Sequence, residues 1–292
     1  MKNAIKKVSR KRIWLILLIC AIIIIFPLGM FVVARYRFWV VYGILDSLRK
    51  GENGLLSKAE YSEEQLRKVG IENDESVKYS NIMWIVNASN PTPDDIPFIC
   101  EVSENVSLNS NIKADIDKLF CDVKELFGNE LIITSAYRTR DFQAAIYKTN
   151  PYAVPAGTSE HETGLAADLK IDGYAQKRFV LSKVGRWVNE NAYKYGFIIR
   201  YPFWGEDKTG VEYEPWHIRY VGFPHAQIIH RSHITLEEYV ESFIPGEFYT
   251  FQNYVISRQT AKDGELVFPE NFTDINVSPD NMGGWFIWGM AK

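Results

Sequence analysis

SEHETGLAAD, residues Ser159–Asp168, holds a histidine and an aspartate seven positions apart, and EPWH, Glu214–His217, ends on a second histidine. Two imidazoles and one carboxylate are the donor set of a catalytic zinc site, in which three protein ligands leave an open position for water and a nearby base takes its proton. His161, Asp168 and His217 are the candidate ligands. Glu214, three residues before His217 and separated from it by the rigid Pro215, is the candidate base. Residues seven apart on one straight strand face opposite sides. His161 is therefore expected in a loop that approaches the strand carrying Asp168, with Gly157 and Gly164 giving the backbone its freedom. His217 is then expected from a neighbouring strand. Arg138 is a candidate cation, to stabilise a developing oxyanion or to grip a substrate carboxylate through a bidentate fork. Each residue alone is weak: a lone strand histidine is more often structural than a ligand, and an arginine after a strand is more often a solvated charge. The joint pattern carries the reading. His225, His230 and His233 lie beyond it and read as surface or structural residues.

Outward from these stretches the pattern mixes helices and strands without a βαβ repeat, so the fold class is α+β. Apolar residues at three- and four-residue spacing from Ile112 to Phe127 predict a helix that Gly128 ends. Leu131–Ser135 reads as a buried strand, Asp141–Lys148 as a helix capped by Thr139, and Gly164–Ile171 as a second strand. Gln176–Tyr195 reads as one amphipathic helix, Phe197–Arg200 as a strand, Tyr201–Tyr213 as a loop and Trp216–Val221 as the last core strand. Met83–Val86 is a further strand candidate. Residues 246–292 read as a β-rich extension of unknown role.

Residues 1–12 are basic, and the run from Ile13 to Ala34 is uncharged and apolar, long enough to cross a hydrocarbon core of about 30 Å. The bias of Lys and Arg towards the first twelve residues puts the N-terminus inside and the rest of the chain outside. Residues 13–35 are accordingly read as a transmembrane signal anchor, since no small-x-small cleavage pattern follows. Residues 36–79 are read as a stalk and 80–245 as the zinc-site domain. Of the net charge of −3, residues 1–37 hold eight Lys/Arg and no acid, which leaves −11 on the remainder. That acidity argues against nucleic acid as a partner. Cys100 and Cys121 read equally as one disulfide or as two separate thiols.

SAYRT, SEHETGLAADL, YGFIIRYP and YEPWHIRYVG resemble the signature segments of VanY-type D-alanyl-D-alanine carboxypeptidases, over roughly Ser80 to Glu241. The pattern Ser-x-His-x-x-Gly-x-Ala-x-Asp followed by Glu-x-x-His is matched throughout. The resemblance implies a compact zinc-peptidase fold with a small antiparallel sheet packed by helices. It implies one zinc ion on His161, Asp168 and His217, with Glu214 as catalytic base. It gives Arg138 a role in transition-state and substrate contact, and Ser159 and Gln143 a role in binding the peptide. The implied activity is removal of the terminal D-alanine from peptidoglycan stem peptides ending in D-Ala-D-Ala, which would also remove the target of vancomycin-type antibiotics. Two other readings stay open: a D,D-dipeptidase or other stem-peptide specificity, and a non-catalytic wall-binding module with a structural zinc. Glu214 speaks against the last, because a closed structural site needs no base.

Overall fold

The computed structural model describes residues 38–71, 74–94, 98–150 and 153–291, with Trp14, Ile19, Ala21 and Ile23 before them. The span expected at 13–35 lies, apart from those four positions, outside the described residues. Among the described residues no helix is long and apolar enough to cross a membrane.

The site is built on a four-stranded antiparallel sheet in the order Ile132–Ser135, Ala166–Lys170, His217–Tyr220, Phe197–Ile199. The helix Lys113–Phe127 ends on Gly128 in the left-handed conformation, the conformation that lets a glycine stop a helix. It buries Ile116, Leu119 and Val123 against the sheet core. The helix Arg140–Thr149 starts where the Thr139 hydroxyl accepts the Phe142 N–H at 3.2 Å.

Two expectations change. The single helix read over Gln176–Tyr195 is three pieces: a 3₁₀ stretch Gln176–Leu181, an α-helix Lys183–Asn191 and a 3₁₀ turn Ala192–Tyr195. Ser182 makes the break, because its hydroxyl caps the second piece by accepting the Gly185 N–H at 2.8 Å. Met83–Val86 is buried but is not a strand. Its neighbourhood gives its backbone groups to side chains instead: Arg219 donates to the carbonyls of Ile82 and Trp84, at 2.9 and 2.8 Å, and the Ser278 hydroxyl accepts the Met83 N–H at 3.0 Å.

The segment read as a stalk is woven into the fold. Ser57–Ala59 pairs with Phe248–Phe251, Leu66–Gly70 with Glu265–Pro269, and Val77–Tyr79 runs parallel to Phe272–Pro279. Residues 57–79 and 248–291 thus make one β module, centred on a six-stranded sheet. Alternate residues of its central strands, Tyr254–Gln259 and Trp285–Ala291, serve two cores, as a side-chain period of two requires. Ile256 and Phe286 pack into the main core with Tyr239 and Phe243, while Val255 and Ile287 join Val69, Leu266 and Phe268 on the other face. Upstream, helical residues 38–47 lie on the main domain, where Trp39 stacks on Tyr213 at 6.4 Å and takes Lys177 over its ring. Among the described residues Cys100 and Cys121 are free thiols, not bonded to each other.

Candidate active site

Register brings the site together. Asp168 is the direct cross-strand partner of His217 on one side and of Ser135 on the other. Side chains opposite one another on adjacent strands share a face, and Asp168 Oδ1 lies 3.0 Å from His217 Nδ1. His161 arrives from the 3₁₀ turn Glu160–Thr163, which immediately precedes the Asp168 strand. Gly164 ends that turn at φ +69°. A Cβ there would meet the Asn109 backbone nitrogen at 2.8 Å and Ile99 Cδ1 at 2.6 Å, so both the backbone angle and the close approach call for glycine. The turn lays the His161 ring edge-on to that of His217, 5.0 Å between centroids, and puts its Nε2 3.4 Å from Asp168 Oδ2.

His161, Asp168 and His217 each offer a ligand atom, all within 4.8 Å of one another. Zinc bonds of about 2.0–2.1 Å in a tetrahedron separate ligand atoms by about 3.3 Å. The 3.0 and 3.4 Å separations match that figure. The residues present therefore fit the ion. His161 Nδ1 meets the Ala136 carbonyl at 2.9 Å, which leaves its Nε2 lone pair free towards Asp168.

Electrostatics agree with a cation-binding pocket. Burial opposes the charge on Asp168, yet His161 and His217 hold its carboxyl well below the usual range. Burial keeps His161 below its ordinary value. Burial also works against the charge on His217, but the carboxylates of Asp168, Glu160 and Glu214 outweigh it and push the ring up to about 9. Glu214 is half-buried, 3.7 Å from His217 Nδ1. Burial, reinforced by Asp168, pushes its carboxyl up to about 7 against the pull of His217.

Arg138 closes the other side, with Nη2 3.6 Å from Asp168 Oδ2. It is held from behind: its Nε donates to Ser135 Oγ at 2.9 Å and its Nη1 to Gln143 Oε1 at 3.0 Å. Gln143, expected at the substrate, is fully buried, and its amide nitrogen donates to the Val154 carbonyl at 2.8 Å. Both ends of that amide are engaged, so in this structure it orients Arg138. Ser159 is buried in extended backbone just before the His161 turn.

A charged layer beneath the site is absent from the sequence reading. Glu160 is fully buried and its Oε1 accepts from Arg200 Nε at 2.7 Å and Arg219 Nη1 at 2.6 Å. Arg200 also grips Glu237, with Nη1 2.8 Å from Oε2. Burial disfavours the Glu160 charge, but the two guanidiniums hold it far below the usual carboxylate range. The signal was present: Arg200 directly follows the apolar strand Phe197–Ile199 and Arg219 lies within His217–Tyr220, where a charge needs a buried partner.

The sequence profile of the VanY D-alanyl-D-alanine carboxypeptidase family matches residues 105–223, which include every residue of the proposed site. A "D-alanyl-D-alanine carboxypeptidase" of Enterococcus faecalis is 35% identical over 205 residues, 63% of this chain and 74% of that protein. One of the same name from Enterococcus faecium is 35% identical over 194 residues, 63% of this chain and 61% of its own length, so the chain spans less than two thirds of that relative. A crystal structure of the vancomycin resistance D,D-dipeptidase VanXYg, in complex with a D-Ala-D-Ala phosphinate analog, superposes with a TM-score of 0.67 at 26% identity, covering 77% of this chain and 99% of that one. The chain belongs to the VanY D-alanyl-D-alanine carboxypeptidase family.

Proposed function

We propose that the chain is a zinc D,D-carboxypeptidase that removes the terminal D-alanine from peptidoglycan stem peptides at the outer face of the cytoplasmic membrane. The observation that carries this reading is the convergence of His161, Asp168 and His217, with Glu214 and Arg138 on either side of them. When bound there, zinc supplies a Lewis acid that activates water and polarises the scissile carbonyl. Glu214 takes the proton of the attacking water and returns it to the leaving D-alanine amine; a carboxyl poised near neutrality suits both transfers. Arg138, fixed by Ser135 and Gln143, offsets the negative charge that develops on the carbonyl oxygen or holds the terminal carboxylate. Ser159, buried beside the His161 turn, is assigned to the peptide by family resemblance.

Membrane attachment through residues 13–35 is part of the same proposal. It is supported by the basic residues of 1–12, the apolar run after them and Arg35 and Arg37 beyond. It is further supported by the helical stretch that follows. While Trp39 and Gly43 face the protein, Ile44, Leu45 and Leu48 stand exposed on the outer side, as suits a helix lying at a lipid surface.

A D,D-dipeptidase is the second reading, favoured by the likeness to the dipeptidase structure over 77% of this chain. D-Alanine release from a stem pentapeptide ending in D-Ala-D-Ala, from the corresponding tetrapeptide and from free D-alanyl-D-alanine separates the two. The proposal expects the pentapeptide to be cleaved with the highest kcat/KM. Preference for the free dipeptide would replace it with the second reading.

A further inference from the structure

The two histidines of the site are held differently. Each turns one ring nitrogen towards Asp168. His161 brings its other nitrogen to the Ala136 carbonyl at 2.9 Å. The other nitrogen of His217, Nε2, is buried and has no hydrogen-bond partner among the described residues. Glu160 Oε2 faces it at 3.7 Å, and this oxygen too is buried without a hydrogen-bond partner among the described residues. A buried polar atom left unpaired is destabilising, and here a donor position and an acceptor oxygen stand opposite one another. Glu160 cannot turn away, because Arg200 and Arg219 hold its Oε1 at 2.7 and 2.6 Å. Both arginines are themselves immobilised, Arg200 by Glu237 and Arg219 by the carbonyls of Ile82 and Trp84.

We propose that Glu160 is a positioning residue for the metal centre: its Oε2 accepts the Nε2–H of His217, so that Nδ1 keeps its lone pair and is turned towards the metal position beside Asp168. The inference rests on the metal reading of the site. The gap has to close from 3.7 Å to an ordinary N–H···O distance of about 2.9 Å. A carboxylate on the second nitrogen of a ligating histidine fixes its tautomer and raises its basicity, and losing such a partner typically costs about 10–100-fold in metal affinity. Arg200 and Arg219 serve the same role, because both converge on Glu160 Oε1 and so fix where its other oxygen points.

Glu160→Gln tests the proposal sharply. The two guanidiniums claim the amide oxygen, so the amide NH₂ is turned towards His217 Nε2 and a donor replaces an acceptor. In the full chain, competition against a chromophoric chelator is expected to show zinc bound about 10–100-fold more weakly by E160Q than by the parent, with the near-UV circular dichroism retained. Unchanged affinity in a folded E160Q overturns the proposal. If E160Q does not fold, long-range ¹H–¹⁵N spectra of the zinc-loaded parent decide: metal on His217 Nδ1 and a proton on Nε2 are expected, and metal on Nε2 overturns it. A parent chain that binds no zinc sinks the metal reading along with the proposal. A parent that binds zinc no better than folded E160Q sinks the role of Glu160 alone.

Discussion

Zinc binding is expected to release close to one proton at neutral pH, and that proton comes from His217. Its neighbouring carboxylates push the ring up to about 9, so in the metal-free protein at pH 7 it is almost wholly protonated. Zinc requires the imidazole lone pair. With a pKa of about 9, roughly 1% of the ring is neutral at pH 7, which weakens binding about 100-fold, or about 3 kcal/mol, relative to alkaline pH. His161 adds little, because burial already keeps it neutral, and Asp168 is already charged. Affinity should therefore rise about tenfold per pH unit from 7 to 8.5. The sign for folding is the reverse. A pKa raised above the unfolded value of about 6.5 contributes stability that is fully present below pH 6.5 and lost as pH rises through 9. Metal-free protein should thus lose thermal stability from pH 7 to 9, while bound zinc stabilises the fold more over the same interval. Calorimetric zinc titrations in buffers of different ionisation enthalpy count the protons, and chelator competition gives the pH slope. A flat affinity from pH 7 to 8.5 with no proton released would refute the assignment of His217 as a charged, carboxylate-braced ligand.

Three substitutions test the remaining parts. Glu214→Gln is expected to keep stoichiometric zinc and lower kcat by about 10²–10⁴-fold, the usual worth of a general base; normal turnover would remove Glu214 from the chemistry. Arg138→Lys loses the hydrogen bonds to Ser135 and Gln143 and cannot rebuild a planar fork, so kcat/KM should fall while zinc content holds; wild-type kinetics would remove Arg138 from the chemistry. Gly164→Ala forces a left-handed residue and a Cβ against Asn109 and Ile99. It should cost about 1–3 kcal/mol in denaturant unfolding and weaken zinc binding with it, because the His161 turn ends there. A neutral effect would show that the turn tolerates a second conformation.

Local chemistry was legible in the sequence where one residue type answers one physical need. Gly128 and Thr139 announce the two ends of helices they cap, and the side-chain period of two excludes His161 from the Asp168 strand on spacing alone. What escaped was long-range. Nothing near residues 57–79 signals that their partners lie beyond residue 247, since strand pairing is satisfied by any chain of matching length and pattern. The polar, Glu/Lys-rich sequence there looks like a spacer because each short strand offers only one side to a core. Likewise Glu160 was hidden inside the motif that gave His161, because its partners sit 40 and 59 residues further on. The N-terminal run is the converse: its reading rests on composition alone.

The central claim is that His161, Asp168 and His217 make one catalytic metal centre served by Glu214. Its most direct test is release of D-alanine from a stem pentapeptide by the purified chain, before chelation, after it, and after zinc is restored. The account predicts release that chelation abolishes, that one equivalent of zinc restores, and that Asp168→Ala cannot recover. Release that survives complete removal of the metal, or a fully zinc-loaded chain that frees no D-alanine, would contradict it.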